Sequence, residues 1–138
     1  MEEEIAILTN QHQLKTVDQL NEIKAVLSVD QIKSLRETIK SLYVEPKLLA
    51  YAAQITHETR NNKSLYLGAS PRASLAMING AKAIAAMAGR DFVTPDDIVR
   101  VATAVLAHRI MLSPEKEMEG LTTADVVAQI IKNIEVPR

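Results

Sequence analysis

One segment constrains the fold of this chain more than any other: SPRASLAMINGAKAIAAMAG, from Ser70 to Gly89. A serine followed by a proline is a helix start, with Ser70 as N-cap and Pro71 at the first helical position. Gly89 suits the left-handed residue that ends such a helix. Between these ends, the run from Ala81 to Ala88 is nearly all small, so a second element can pack closely against it. Gly80 costs about 1 kcal/mol relative to alanine inside a helix, a cost that suits a close contact. The spacing therefore predicts a central helix from Ser70 to about Ala88. Composition extends the argument, because aromatic residues are only 3% of the chain. A core of Leu, Ile, Val, Ala and Met favours packed helices over a β-sandwich.

The remaining helix signals are consistent with that centre. Glu2 to about Gln13 reads as a first helix, with three glutamates at the positive end of its dipole and Ile5 and Leu8 at helical spacing. Thr16 to Leu27 reads either as a helix or as a loop with a turn or two. Ser28 and Gln31 form a capping-box pattern ahead of an apolar stripe of Ile32, Leu35, Ile39 and Leu42. That helix should stop near Tyr43-Val44, because Glu45 precedes a proline. Pro46 starts the next helix, which carries Leu48, Leu49, Ala52, Ala53, Ile55 and Thr56 and ends at Asn61-Asn62. A connector with a short extended piece at Leu65 and Leu67 leads to Ser70. Thr94-Pro95-Asp96-Asp97 is a second clear start, with Ile98, Val101, Ala102, Val105 and Leu106 as the buried face and His108-Arg109 in the last turn. Ser113 to Gly120 is polar, and Thr122 or Thr123 caps a last helix with Val126, Val127, Ile130, Ile131 and Ile134. The sum is an all-α bundle of five to six helices in a single domain over 1–138. Its expected parts are an N-terminal helical or linker portion at 1–27, a core at 28–112, and a loop with a C-terminal helix at 113–138.

Charge and chemistry narrow the function classes. The chain has no cysteine, no apolar run of the roughly 18 residues that span a bilayer, and an acidic rather than basic start. No membrane insertion and a cytoplasmic location are the expectations. The three histidines, His12, His57 and His108, lack metal-ligand spacing, so no metal site is expected. No phosphate-binding glycine loop and no nucleophile motif is present. The formal net charge is −1, but from Thr59 to Gly89 there is no Asp or Glu. Arg60, Lys63, Arg72 and Lys82 fall in that window and Arg90 follows it. This basic segment reads either as a solvated face or as a surface for anions. Tyr66 is its one aromatic residue, which argues against single-stranded nucleic acid.

Arg72 is the informative residue. It sits in the first turn of its helix, where the dipole disfavours a cation, and its neighbours three and four positions on are Leu75 and Ala76. A guanidinium beside a helix start is a good local arrangement for a phosphate or carboxylate. The alternatives are a distant acidic partner or plain solvation.

The stretch LGASPRASLAMINGAKAIAAMAGRDFVTPDDI, followed by AVLAHRIML, resembles the C-terminal lid of the MoxR family of AAA+ ATPases. The opening EEEIAIL and the closing VPR resemble the edges of that region. The resemblance implies a AAA+ lid fold and makes Arg72 the sensor-2 residue, a catalytic group that contacts the γ-phosphate of ATP held by an ATPase core. Ser70 would lie on the phosphate side. His108 and Arg109 match the family's H-R pair, with either a packing or C-capping role or a functional one. The resemblance further implies ATP and Mg²⁺ in the parent protein, neither bound by this lid alone. It also implies a core domain as partner, adjacent subunits of a ring, and a client protein remodelled in a chaperone-like way. The motifs that hold nucleotide in the family are not in this sequence, so an excised lid is the expectation. A stand-alone helical adaptor or nucleic-acid-binding module using residues 59–90 is the alternative.

Overall fold

A computed structural model describes residues 1–13 and 23–137. Seven helices and one two-stranded sheet occur among them. The all-α expectation holds, but with seven helices rather than five to six among the described residues, one of them short, at Pro114–Met118 in the segment read as loop, and with a small sheet added. The described residues form two compact units, Met1–Ser34 and Leu35–Arg138.

In the first unit, helix α1 (Glu2–Gln13) opens on Glu2, Glu3 and Glu4, as the dipole favours. Most of the ambiguous Thr16–Leu27 segment lies outside the described residues, and Ile23 to Leu27 are not helical. Helix α2 (Val29–Ser41) begins in this unit and ends in the second. The capping box forms as read: Ser28 N–H donates to Gln31 Oε1 at 2.7 Å, and Gln31 N–H to Ser28 Oγ at 3.2 Å. Of the apolar stripe read for α2, Leu42, just past the helix end, joins the core, whereas Ile32 and Leu35 stay exposed. No residue of the helix is buried, and Leu35 is 51% exposed. Periodicity identifies the face a helix offers for packing, not whether a partner covers it.

The second unit holds the core. Helix α3 (Pro46–Asn61) is followed by strand β1 (Leu65–Leu67), helix α4 (Pro71–Met87), helix α5 (Pro95–Leu106), strand β2 (Met111–Leu112), the short helix α6 (Pro114–Met118) and helix α7 (Thr123–Asn133). Helix α4 packs most extensively against α5 and next against α3, and α7 packs on α3 and α5. The small-residue helix is thus the centre of the bundle. Ala73, Met77, Ala81 and Ala85 are fully buried, facing Ala52 and Ile55 of α3 and Ile98, Ala102 and Leu106 of α5 in one core cluster. The close contact expected at Gly80 is with Val101, whose Cγ1 lies 3.3 Å from where a β-carbon would stand. Leu49, read as part of the apolar set of α3, is 48% exposed instead.

Two tethers join the ends of these helices. Strand β1 pairs antiparallel with β2, and Ser113 N–H donates to Ser64 carbonyl at 2.9 Å. A two-residue strand leaves no alternation to read, which is why β2 escapes sequence analysis. Tyr43 forms an isolated bridge with Phe92, so the end of α2 is tied to the segment ahead of α5. Gly89 takes φ +70°, the left-handed turn expected after α4.

Candidate anion site at the start of helix α4

The site begins one helix earlier, at the end of α3. Thr56 and Thr59 are each 1% exposed, so their hydroxyls need internal partners. Thr56 Oγ1 donates to Ala52 carbonyl at 3.1 Å, and Thr59 Oγ1 donates to Thr56 carbonyl at 2.6 Å. Each hydroxyl has then used its single hydrogen and can only accept further bonds. Ala69 N–H donates to Thr59 Oγ1 at 2.9 Å, and Ser74 Oγ donates to Thr56 Oγ1 at 2.9 Å. These two bonds fall on either side of Arg72, one ahead of α4 and one in its first turn.

Gly68 lets the connector come close enough for this arrangement. A β-carbon there would stand 2.6 Å from Arg60 Cα and 2.6 Å from Thr59 carbonyl oxygen. The glycine serves a close backbone approach, not a left-handed turn. In the sequence Thr59 has no visible partner, and Thr56 falls on an apolar helix face. Two threonines three residues apart near a helix end, followed by a glycine, are the signal that was there to find.

Arg72 projects from this anchored start. It is exposed, and among the described residues no hydrogen bond or ion pair joins it to another group. The absence of a local acid, read from the sequence, holds. Two parts of the local reading change. Ser70 occupies the N-cap position with extended backbone, φ −80° and ψ 165°, but its hydroxyl makes no capping bond. The helix start also offers few free N–H groups. Pro71 has none, and Ala73 N–H donates to Ser70 carbonyl at 2.9 Å. Attraction for an anion here rests mainly on the guanidinium and only secondarily on backbone donors.

The other candidate residues lie elsewhere. His108 and Arg109 follow the last turn of α5, where Arg109 Nη1 donates to Val105 carbonyl at 2.5 Å and contacts the His108 ring nitrogen. This is a C-capping arrangement, and no hydrogen bond or ion pair among the described residues links the pair to Arg72. Two cations of the basic segment are engaged inside the fold. Lys82 Nζ donates to Lys40 carbonyl at 2.8 Å, and Arg90 grips Asp97 through both nitrogens at 2.8 and 2.7 Å. That leaves less of the segment for a nucleic-acid surface. Among the described residues, no group of three or more His, Cys, Asp or Glu is placed to hold a metal ion, and no helix is long and apolar enough to cross a membrane.

Comparison with known proteins places this geometry in context. The family model of the AAA lid domain matches residues 57–130, which include Thr59, Gly68, Arg72 and all of helices α4 and α5. An uncharacterized protein of Bacillus subtilis, YeaC, is 32% identical over 98% of this chain, which spans 41% of that protein. The chaperone MoxR1 of Mycobacterium tuberculosis is 29% identical over 83% of this chain, and the match spans 33% of it. A crystal structure from Cytophaga hutchinsonii, assigned as an ATPase, superposes with a TM-score of 0.79 at 28% identity, covering 85% of this chain and 38% of that one. The chain thus corresponds to well under half the length of these relatives.

Proposed function

Because the chain belongs to the AAA lid domains, and among them to those of MoxR-type AAA+ ATPases, we propose that Arg72 is its sensor-2 residue. In this reading the γ-phosphate of ATP, bound by an ATPase core, is the anion that Arg72 meets. The observation that carries it is an exposed guanidinium, without a partner among the described residues, on a helix start fixed from behind by Thr56 and Thr59. Phosphoryl transfer gains from positioned charge on the equatorial oxygens of the transferring group, and a planar guanidinium supplies it with directional N–H donors. Arg72 stabilises that charge in the transition state and loses its partner when phosphate leaves. The change in attraction is what moves the lid relative to the core.

The nucleotide and its Mg²⁺ belong to the core in this scheme, so hydrolysis requires core and lid together. MoxR1 is named a chaperone, and by that likeness the lid movement serves remodelling or activation of a client protein. In this reading the lid works within a ring of subunits, as AAA+ kinship suggests, and in the cytoplasm. His108 and Arg109 act as the C-terminal cap of α5 rather than as ligands, in keeping with the Val105 carbonyl bond. Ser70 keeps a hydroxyl without a capping bond beside Arg72, on the phosphate side.

The test is Arg72→Ala in a protein that carries this lid with its ATPase core. ATP turnover should fall on the order of a hundredfold or more, as when other transition-state charge donors are removed. Wild-type turnover and nucleotide affinity in that variant would show the assignment to be wrong.

A further inference from the structure

We propose that Thr59 is a positioning residue for Arg72, and that α3 and the start of α4 move as one body when Arg72 gains or loses its anion. The inference rests on the sensor-2 reading of Arg72 and names what holds that residue in place. Among the described residues Arg72 has no side-chain partner, so its direction depends on the backbone beneath it. That backbone is held directly at the Ala69 N–H by Thr59 and, through the Ser74 hydroxyl, by Thr56, both threonines belonging to α3. Ala69 is fully buried, so without Thr59 its N–H has no water to turn to. At Gly68 the connector rests on the backbone of Thr59 and Arg60 with no room for a β-carbon, which limits sliding along α3. A displacement of the backbone at Arg72 therefore reaches α3 through two hydrogen bonds, made by the short side chains of Thr59, Thr56 and Ser74, and one backbone contact.

A plain structural role would satisfy the same buried hydroxyls. The two readings separate in kinetics. Thr59→Val keeps the shape of the side chain and removes the acceptor, while Thr59→Ser keeps the acceptor. In a protein with its ATPase core, Thr59→Val should lower kcat on the order of tenfold or more, since small misplacements of a transition-state group are costly. The KM for ATP should stay within about twofold, because ground-state binding belongs to the core. Thr59→Ser should restore kcat. Ile98→Val, which trims the buried face of α5, controls for loss of stability alone and should leave kcat unchanged at temperatures well below its melting point. If circular dichroism shows Thr59→Val unfolded, Ser74→Ala removes the second bond from the half-buried side and carries the same expectation.

Turnover lost in Arg72→Ala but kept in Thr59→Val overturns the positioning role and leaves the sensor-2 reading standing. Turnover kept in both overturns the sensor-2 reading and the positioning role with it. Amide hydrogen exchange on this chain reads the hold without any nucleotide. The Ala69 N–H should exchange at least about tenfold faster in Thr59→Val than in wild type, and an unchanged rate overturns the proposal.

Discussion

Helices α4 and α5 start with the same two-residue device, a hydroxyl residue followed by proline, yet the structure completes only one of them. At Thr94-Pro95 the Asp97 carboxylate accepts from Thr94 N–H at 2.8 Å and from Thr94 Oγ1 at 2.9 Å. Arg90 then closes over Asp97 from outside, with Phe92 beneath its guanidinium at 5.8 Å. The buried carboxylate of Asp97 and the Arg90 guanidinium are thus paired within the domain. At Ser70-Pro71 the hydroxyl makes no capping bond, the first-turn charge has the sign the dipole disfavours, and the guanidinium has no partner among the described residues. The closed start is built for stability. The open one is stable only because α3 holds it from behind, and that arrangement keeps its cation available to something outside the domain.

Breaking the closed start should have the largest effect on folding. Asp97 is 4% exposed, and Asp97→Ala leaves Arg90 partly buried without its carboxylate. A loss of about 3 kcal/mol in urea unfolding is expected for removing one member of such a pair. The same clamp sets an acid limit. Hydrogen bonds from Arg90, with help from Thr94, lower the Asp97 pKa from 3.8 to about 2. The clamp's contribution is therefore complete above about pH 4 and is lost as the pH falls toward 2. The urea midpoint of the wild type should drop across that window more steeply than that of Asp97→Ala. Equal slopes would mean that the clamp is not what the acid removes.

The next effect probes the hold on the open start. Gly68→Ala places a β-carbon within 2.6 Å of the α3 backbone, where nothing flexible can yield. About 2 kcal/mol of stability should be lost, in the range seen for overpacked cores. Faster exchange at Ala69 should accompany the loss, because lifting the connector lengthens its bond to Thr59. A fully stable Gly68→Ala with wild-type exchange would mean that the connector can rest elsewhere.

The contrast between the two starts also marks how far the sequence could be read. Helix positions follow from caps, prolines and periodicity, because these act over a few neighbouring residues. The pairing of Asp97 with its own N-cap is of that kind, and so is the missing acid beside Arg72. What escapes is long-range in sequence. The hydroxyl pair Thr56 and Ser74 lies 18 residues apart, and Thr59 meets Ala69 across the β1 connector. No local rule assigns a partner to a threonine on an otherwise apolar helix face. The exposed stripe of α2 teaches the converse. Ile32 and Leu35 have the spacing of core residues, and yet the described residues leave them 41% and 51% exposed. A pattern specifies a face, whereas burial depends on surfaces that the pattern does not contain.

The smallest expected effect bears most directly on what the open start is for. Arg72→Glu puts at the first turn of α4 the charge that its dipole favours, as Asp96 and Asp97 do for α5. If Arg72 has no internal partner, the reversal removes a mild repulsion, adds a mild attraction, and breaks no bond. The chain should gain about 0.5 kcal/mol of stability at low ionic strength, and the gain should shrink in salt. A helix start optimised for folding alone would already carry the acid. A measured loss instead would place an acidic partner beside Arg72 and remove the distinction between the two starts. A gain in stability, together with loss of ATP turnover in the core-bearing protein, would identify Arg72 as a residue kept against local stability for the sake of the anion it meets.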